Sequence, residues 1–547
     1  MTSYLPTQAR PDVEHVLAVR GIGGYRQYRI PALAVSRSGT LLAAYDGRPN
    51  LDDLPNTIDL LLRRSQDNGA TWSEQQVVRT GTGLNGYGDP SLLVDAETGR
   101  IFMFHAAGTH AGFFEAAKGL EPDNDVQHAD VSYSDDDGDT WQHRRLTAQL
   151  KPAHPGITGL FAAAGQGIQV HAGPYTGRLV QQFVLLVDGE IRAASAYSDD
   201  HGDSWQLGQL IGPGSSGVGP NENKVACLRD GRLLLHTRAT PCRLSAVSED
   251  GGHTWSPLEP VPGLPDPSDN GSLARFDGLP TLGSLATPDT DNWLIASNNQ
   301  DPHLRRNTVL SLSTDNGATW PAKVVLCEGS SAYSTATRLP NGNVGVLYER
   351  QGYREIVFAS VPARQLTRQL ASPPVPAAVP GPLCFHMELR SITPGRPTVW
   401  QNSGEFHVIP STSDGQWDVQ TWKEIGQGYA DADQVLGTRE AQDLNYGPVV
   451  PGYKAGDILA FTGRIRNQGS EAMTGVALLG PHPEDFPAAD LAPGGHLLYF
   501  TPSYTVTESD VAAGTVELTF TAEADGGRLR YDRKFRLDMR TGDVDAF

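Results

Sequence analysis

The 547-residue sequence carries 63 acidic against 43 basic side chains, a formal net charge of −20. That sign argues against a nucleic-acid backbone as partner, since such binding is driven by Lys and Arg displacing counterions, but it leaves room for a small anion wherever cations are concentrated locally. The 60 glycines and 39 prolines fit a turn-rich all-β chain rather than long helices, and the length exceeds a single domain of ordinary size.

Read from the N-terminus, MTSYLPTQARPDVEHV has no apolar core of the signal-peptide kind. The expectation is either a cytoplasmic protein that begins at Met1 or a secreted one whose leader has been removed. No stretch approaches the ~20 apolar residues of a membrane span. Cys227, Cys242, Cys327 and Cys384 are too sparse for a disulfide framework and form no CxxC metal pair. Cys227 and Cys242 can lie on adjacent strands, yet all four are read as free thiols. GxSxG, HExxH and Walker GK[ST] motifs are absent, and GIGG at residues 21–24 lacks the helix a dinucleotide fold needs.

One phrase then returns five times: Ser-x-Asp-x-Gly-x-Thr/Ser-Trp. It reads SQDNGATW from Ser65 to Trp72, SDDDGDTW from Ser134 to Trp141 and SDDHGDSW from Ser198 to Trp205, then SEDGGHTW from Ser248 to Trp255 and STDNGATW from Ser313 to Trp320. A recurrence every 50 to 70 residues or so signals one supersecondary unit used many times. The Asp can accept from backbone N–H groups a few residues on, and the Gly can take the positive φ of a tight reversal. The Trp can pack between neighbouring repeats while its indole N–H finds an acceptor. Thr57–Leu62 and Glu190–Tyr197 look like strands leading into the phrase, which places it on the hairpin between the two outer strands of a four-stranded sheet. The phrase resembles the Asp boxes of sialidase-like β-propellers. Calcium binding by the crowded Asp135, Asp136, Asp137 and Asp139 is the competing reading, but an EF-hand loop needs ligands at set alternate positions and a closing Glu.

Between the boxes, across about residues 15–365, the chain resembles the bacterial exo-sialidases of the glycoside hydrolases. Tyr28-Arg29-Ile30-Pro31 is similar to the family's [FY]RIP motif, whose Arg opens a triad. Arg238, after the turn Asp230-Gly231, matches the second Arg, and Arg305, in LRRNT before the fifth box, matches the third. Its neighbour Arg306 competes for that place, and strand alternation would point the two to opposite faces. The resemblance implies that Arg29, Arg238 and Arg305 grip a carboxylate through charge-assisted bonds. It implies that Asp53, in YDGRPNLDD, is the acid/base catalyst, with Asp46, Asp52 and Asp59 as rivals and with Arg48 and Asp46 lining the pocket. Tyr333, in SAYST, is then the nucleophile, Glu222, in ENK, its base, and Glu349, in LYER, the brace of the first Arg. Sialidases are the tyrosine exception among glycosidases, because a carboxylate nucleophile would be repelled by the substrate's own carboxylate.

The repeat region ends near Val361, after Val344–Tyr348 and Glu355–Val361. Pro373, Pro374, Pro376, Pro380 and Pro382 then mark a polyproline-like linker. Farther on, Val516, Leu518, Phe520 and Ala522 alternate with polar residues, as do Leu459, Phe461 and Ile465 before the turn Asn467-Gln468-Gly469. The expected domains are a propeller over 1–365, a linker over 366–383, a β-rich segment over 384–445 with Trp400, Trp417 and Trp422 as core candidates, and an immunoglobulin-like β-sandwich over 446–547. The resemblance implies six blades, the unboxed one closed by N- and C-terminal strands together. It implies an exo-α-sialidase acting on sialylated glycans, glycoproteins or glycolipids with retention, needing no metal or organic cofactor. Two alternatives are a trans-sialidase, intermolecular or intramolecular, on the same site, and a non-catalytic sialic-acid-binding lectin, which would keep the boxes without needing Asp53, Glu222 and Tyr333. Every candidate site residue precedes the linker, so the C-terminal region is expected to be expendable for chemistry on small substrates.

Overall fold

The five boxes fold alike in a computed structural model, which describes residues 7–81, 85–371, 381–394, 449–499 and 501–547. In the first, Ser65 Oγ accepts from Gly69 N at 2.8 Å, while Asp67 accepts from Thr71 N at 2.9 Å and from Thr71 Oγ1 at 2.6 Å. Asn68 and Gly69 both take positive φ, 60° and 89°, so two consecutive left-handed residues turn the chain. A Cβ on Gly69 would lie 2.1 Å from the Phe358 ring, so the glycine is required for space as well as for φ. Trp72 closes the turn through Nε1 to Gly69 O and packs edge-on against Phe358, with centroids 4.9 Å apart.

Phe358 belongs to the preceding blade, and the same logic recurs. Trp205 packs on Phe102 and Phe104 of the preceding blade, contacts worth about 0.5–1.5 kcal/mol each beyond area burial. The acids of the second box diverge: Asp135 pairs with Arg100, Asp136 with Ser134 and Thr140, Asp137 with Ser38 and Thr40, and Asp139 with Arg64. Ser38, Thr40 and Arg64 lie on the first blade, so Asp137 and Asp139 join the two blades, while Asp135 and Asp136 are held within the second. Among the described residues no three His, Cys, Asp or Glu side chains are grouped to hold a metal ion.

Each box joins the third and fourth strands of an antiparallel blade, as the sequence predicts. The first four blades comprise Gln27–Val35, Leu41–Arg48, Asp59–Ser65 and Gln76–Arg79; Gly86–Val94, Ile101–Gly108, His128–Ser134 and Gln142–Arg145; Ile157–Ala162, Leu179–Val187, Glu190–Ser198 and Gln206–Leu207; and Asn223–Cys227, Leu233–Thr237, Cys242–Ser248 and Glu259–Pro265. The fifth is Ser272–Arg275, Leu294–Asn299, Arg306–Ser313 and the first half of the long strand Ala322–Arg338. The second half of that strand opens the sixth blade, followed by Val344–Arg350 and Glu355–Val361. Val13–Val19 returns as its outermost strand, with Val13 opposite Ser360. This closure joins both ends of the repeat region and leaves the sixth blade without a box.

The C-terminal region is a two-sheet sandwich. One sheet holds Leu383–Thr393, Ile458–Asn467, His496–Tyr499 and Ser503–Thr505; the other holds Met473–Leu479, Ala489–Leu491, Thr515–Ala524, Leu529–Asp538 and Val544–Ala546. Phe461 from the first meets Phe520 and Phe535 of the second at 4.7 and 4.9 Å. The first residues of the 384–445 segment thus lie in this sheet, whereas Trp400, Trp417 and Trp422 and all but the last of the linker prolines fall outside the described residues. All four cysteines are free thiols. No described helix is long and apolar enough to cross a membrane.

Candidate active site

The innermost strands begin at one end of the propeller axis, and there the backbone departs from regular strand. Register shifts fall between Arg29 and Ala32, between Gly88 and Ser91, and between Ser331 and Ser334, bulges of the kind that re-aim side chains. Ile30 and Asp89, each preceding a proline, sit at φ 63°. For a β-branched residue that is an outlier worth about 1–3 kcal/mol of strain, held by the surrounding structure. Ser268, Asn307 and Tyr353 are also at positive φ, between 58° and 65°.

These strand ends gather three arginines around one phenol. The Arg29, Arg305 and Arg238 guanidinium carbons lie 5.0, 5.1 and 5.9 Å from the Tyr333 ring centroid. Glu349, fully buried, accepts from Arg29 Nε at 3.1 Å, Arg29 Nη2 at 3.3 Å, Ile30 N at 2.8 Å and Tyr333 N at 3.2 Å. It therefore ties the first arginine to the tyrosine's own backbone. Arg305 donates to Tyr353 Oη at 3.0 Å and Ser268 O at 3.1 Å. Its neighbour Arg306 points the other way, onto Glu388 of the sandwich at 3.2 Å.

Tyr333 Oη donates to Glu222 Oε2 at 2.6 Å and accepts from Arg238 Nη1 at 2.5 Å, and Arg238 also pairs with Glu222. Burial pushes the phenol well above its ordinary value of 10, against the pull of Arg238, Arg305 and Arg29. Tyr333 at rest is therefore a neutral phenol in contact with a buried carboxylate.

Asp53 approaches from the first-blade loop, its Oδ1 accepting from Arg48 Nη1 at 2.7 Å. The side chain is 72 % exposed, open to the pocket with protein around it. That enclosure works to raise its pKa, but Arg48, followed by Arg29 and Arg238, prevails and holds it below the usual carboxylate range. Arg48 and Asp46, expected to line the pocket, are 1 % and 0 % exposed. Arg48 meets it through Asp53 and, at 3.8 Å, Asp89, with Asp46 Oδ2 behind, bonded to Arg48 Nη2 at 2.6 Å. Of the rival acids, Asp59 accepts from Tyr25 Oη at 2.6 Å.

Three participants escape sequence reasoning: Tyr353, Asp89 and Asp269. The Tyr353 ring underlies Arg29 at 4.2 Å as well as bonding Arg305. Asp89 lies 3.8 Å from Arg48 Nη2, and burial together with Asp46 and Asp53 raises its pKa well above normal. GDPS offered a weak signal, a polar residue before proline able to take positive φ. Asp269 is fully buried, neither of its oxygens receives a hydrogen bond, and its nearest cation is Arg305 Nε at 3.9 Å.

Burial pushes Asp269 up to about 7; Arg305 and Arg243 oppose this, while Asp266 and Glu349 add to it. A raised carboxylate pKa means that the folded chain holds a proton the unfolded chain has released. The stability this group contributes is present below about pH 4 and is lost as pH rises through about 7. Asp269→Asn is expected to narrow the difference in Tm between pH 4.5 and pH 8. An unchanged difference in a thermal scan at both pH values would show that Asp269 does not titrate in that window.

Residues 39–346 match the family model described as BNR repeat-like domain. A sialidase from Micromonospora viridifaciens is 45% identical over 345 residues, covering 61% of this chain and 52% of that protein. A sialidase from Bacteroides fragilis is 29% identical over 373 residues, covering 63% of this chain and 65% of that one. The chain thus spans about half of the first relative's length and just under two thirds of the second's. Among solved structures, the Hadza microbial sialidase Hz136 aligns with a TM-score of 0.57 at 29% identity, over 65% of this chain and 69% of its own. A leech intramolecular trans-sialidase aligns with a TM-score of 0.55 at 19% identity, over 66% and 71% of the two chains, a likeness of fold.

Proposed function

The chain belongs to the BNR repeat-like family, and from that premise we propose that it is an exo-α-sialidase. It releases terminal α-ketosidically linked sialic acid from glycoconjugates with retention, through a tyrosyl intermediate. The observation that carries the reading is a neutral phenol, Tyr333, encircled by three guanidiniums and bonded at 2.6 Å to the buried Glu222. A sugar bearing a carboxylate on its anomeric carbon fits this arrangement. Arg29, Arg238 and Arg305 bind the carboxylate, which places the anomeric carbon beside Tyr333 Oη.

Tyr333 Oη attacks that carbon as its proton passes to Glu222. The bond to the aglycone oxygen breaks, and that oxygen takes a proton from Asp53. Water, deprotonated by Asp53, then attacks the same carbon, and Tyr333 leaves, recovering its proton from Glu222. In the free protein Asp53 is held ionised by Arg48, Arg29 and Arg238. A bound carboxylate neutralises part of the field from Arg29 and Arg238, so substrate binding itself raises the proton affinity of Asp53.

Incubation with a fluorogenic sialoside and with α2,3- and α2,6-sialyllactose, followed by NMR, tests the reading. Free sialic acid released first as the α-anomer is expected. An anhydro sugar or a sialylated acceptor would replace hydrolysis with transfer, and binding without turnover would make the protein a lectin. Arg305→Ala removes a charge-assisted contact worth about 1.5–3 kcal/mol, and should lower kcat/KM roughly 10- to 150-fold in a folded protein. Arg306→Ala should cost several-fold less, because Arg306 faces Glu388 and not the pocket. The opposite ranking in steady-state kinetics would reassign the third arginine.

A further inference from the structure

We infer that the C-terminal sandwich is a positioning element of the anion site, clamping the segments that carry Arg29, Arg305 and Tyr353. This rests on reading the pocket as the seat of the substrate carboxylate, and it replaces the expectation that the sandwich is expendable. The loop that presents Arg305 is held on both sides. Asp301 takes a two-pronged bond from Arg464 of the sandwich, with Nη1 and Nη2 each at 2.8 Å. The same carboxylate accepts from His303 N at 2.9 Å and Leu304 N at 3.1 Å, so the pair fixes the backbone leading into Arg305. On the far side Arg306 pairs with Glu388 at 3.2 Å.

The other segments meet the same sandwich strand, Leu383–Thr393. Gln27, two residues before Arg29 and fully buried, donates to Ile392 O at 2.9 Å. Gly352, next to Tyr353, donates to Ser330 Oγ at 3.0 Å, and Ser330 Oγ in turn donates to Leu389 O. A Cβ on Gly352 would lie 2.8 Å from Leu389 Cγ, so the turn and the strand are in direct contact. A module that was merely tethered would have no need of buried charge pairs, whose desolvation offsets much of their attraction. What such pairs provide is registry: the planar guanidinium–carboxylate fork admits one orientation. Registry matters at this site, since guanidiniums grip a carboxylate through charge-assisted bonds of set geometry and loosen it when they no longer converge.

The test uses the full chain with Arg464→Gln, Glu388→Gln and the conservative Arg464→Lys, each checked for folding by thermal unfolding. Two readouts are taken: amide hydrogen exchange across residues 300–308 and 351–354, and kinetics on an aryl α-sialoside together with the Kd of free N-acetylneuraminic acid. The Gln variants should exchange faster in those segments and raise KM and Kd roughly 3- to 10-fold, with kcat moving less than about twofold. Arg464→Lys, which keeps the charge without the fork, should fall between. Folded variants in which segment exchange, KM and Kd all stay at wild-type values, or in which only the melting temperature drops, would overturn the clamp. Faster segment exchange in Arg464→Gln, with the unsubstituted chain itself inactive on every sialoside, would support the clamp and remove the substrate assignment.

Discussion

Tyr333→Phe is expected to lower kcat on every sialoside by roughly 10³-fold or more while leaving KM within a few-fold of wild type. The substitution deletes one oxygen and keeps the ring, so the faces that Arg29 and Arg305 approach at 5.0 and 5.1 Å survive. Arg238 keeps its pairing with Glu222, which leaves the carboxylate site charged and anchored. What is lost is the nucleophile. Burial outweighs the surrounding arginines and holds the phenol above its ordinary value of 10, so no standing phenolate exists at neutral pH. The proton must leave during attack, and Glu222 Oε2 at 2.6 Å is the acceptor in reach. Glu222→Gln should therefore cost nearly as much as Tyr333→Phe, and the double variant little more than either, because groups acting as a unit are not additive. Steady-state kinetics on an aryl sialoside measures all three. A Tyr333→Phe rate within about tenfold of wild type would mean that water attacks directly and Tyr333 is only a wall of the pocket.

Much of the fold was legible because its signal is local and repeated. The box states its own turn: Ser and Asp supply the acceptors, Gly the positive φ and Trp the packing surface, and five copies leave little ambiguity about blades. The sixth blade has no such phrase, and its closure by Val13–Val19 against Glu355–Val361 joins strands more than 300 residues apart. It is reached only through the resemblance, which implies a six-bladed propeller and so a blade shared by the two ends of the repeat region. Arg305 and Arg306 separate as strand alternation requires, one toward Tyr353 and the other toward Glu388.

The missed residues have a common cause: their roles arise from position in space rather than from sequence context. Asp269 differs from any surface aspartate only in being buried beside Arg305, which no run of neighbours encodes. Tyr353 acts from a hairpin turn, where an aromatic residue at φ 65° carries no periodic signature. Arg48 and Asp46 are expected from the sequence to line the pocket, but alternation along Leu41–Arg48 does not tell a lining side chain from one that stands behind Asp53. Their burial places them behind. The clamp between Asp301 and Arg464 was out of reach for the same reason, since it joins residues 163 positions apart across two domains.

Asp53→Ala should separate two kinds of leaving group. An aryl oxygen departs as a stable phenolate and needs little help, whereas a sugar hydroxyl, with its high pKa, must be protonated as it leaves. The variant is expected to stay within about tenfold of wild type in the glycosylation step on methylumbelliferyl or nitrophenyl sialosides, and to lose roughly 10²- to 10⁴-fold on sialyllactose. The fold should tolerate the change, because Arg48 retains its bonds to the buried Asp46 through Nε at 3.1 Å and Nη2 at 2.6 Å. Single-turnover rates on both substrates, with circular dichroism as a control, give the comparison. The free enzyme adds a second signature: Arg48, Arg29 and Arg238 hold Asp53 ionised, so it can act as an acid only once a bound carboxylate has weakened that field. The ionisation attributed to Asp53 should accordingly lie higher in the pH profile of kcat than in that of kcat/KM. Equal losses of Asp53→Ala on aryl and sugar leaving groups would remove Asp53 as the general acid. Asp89 would then be the next candidate, since it lies 3.8 Å from Arg48 and its raised pKa already favours the protonated form.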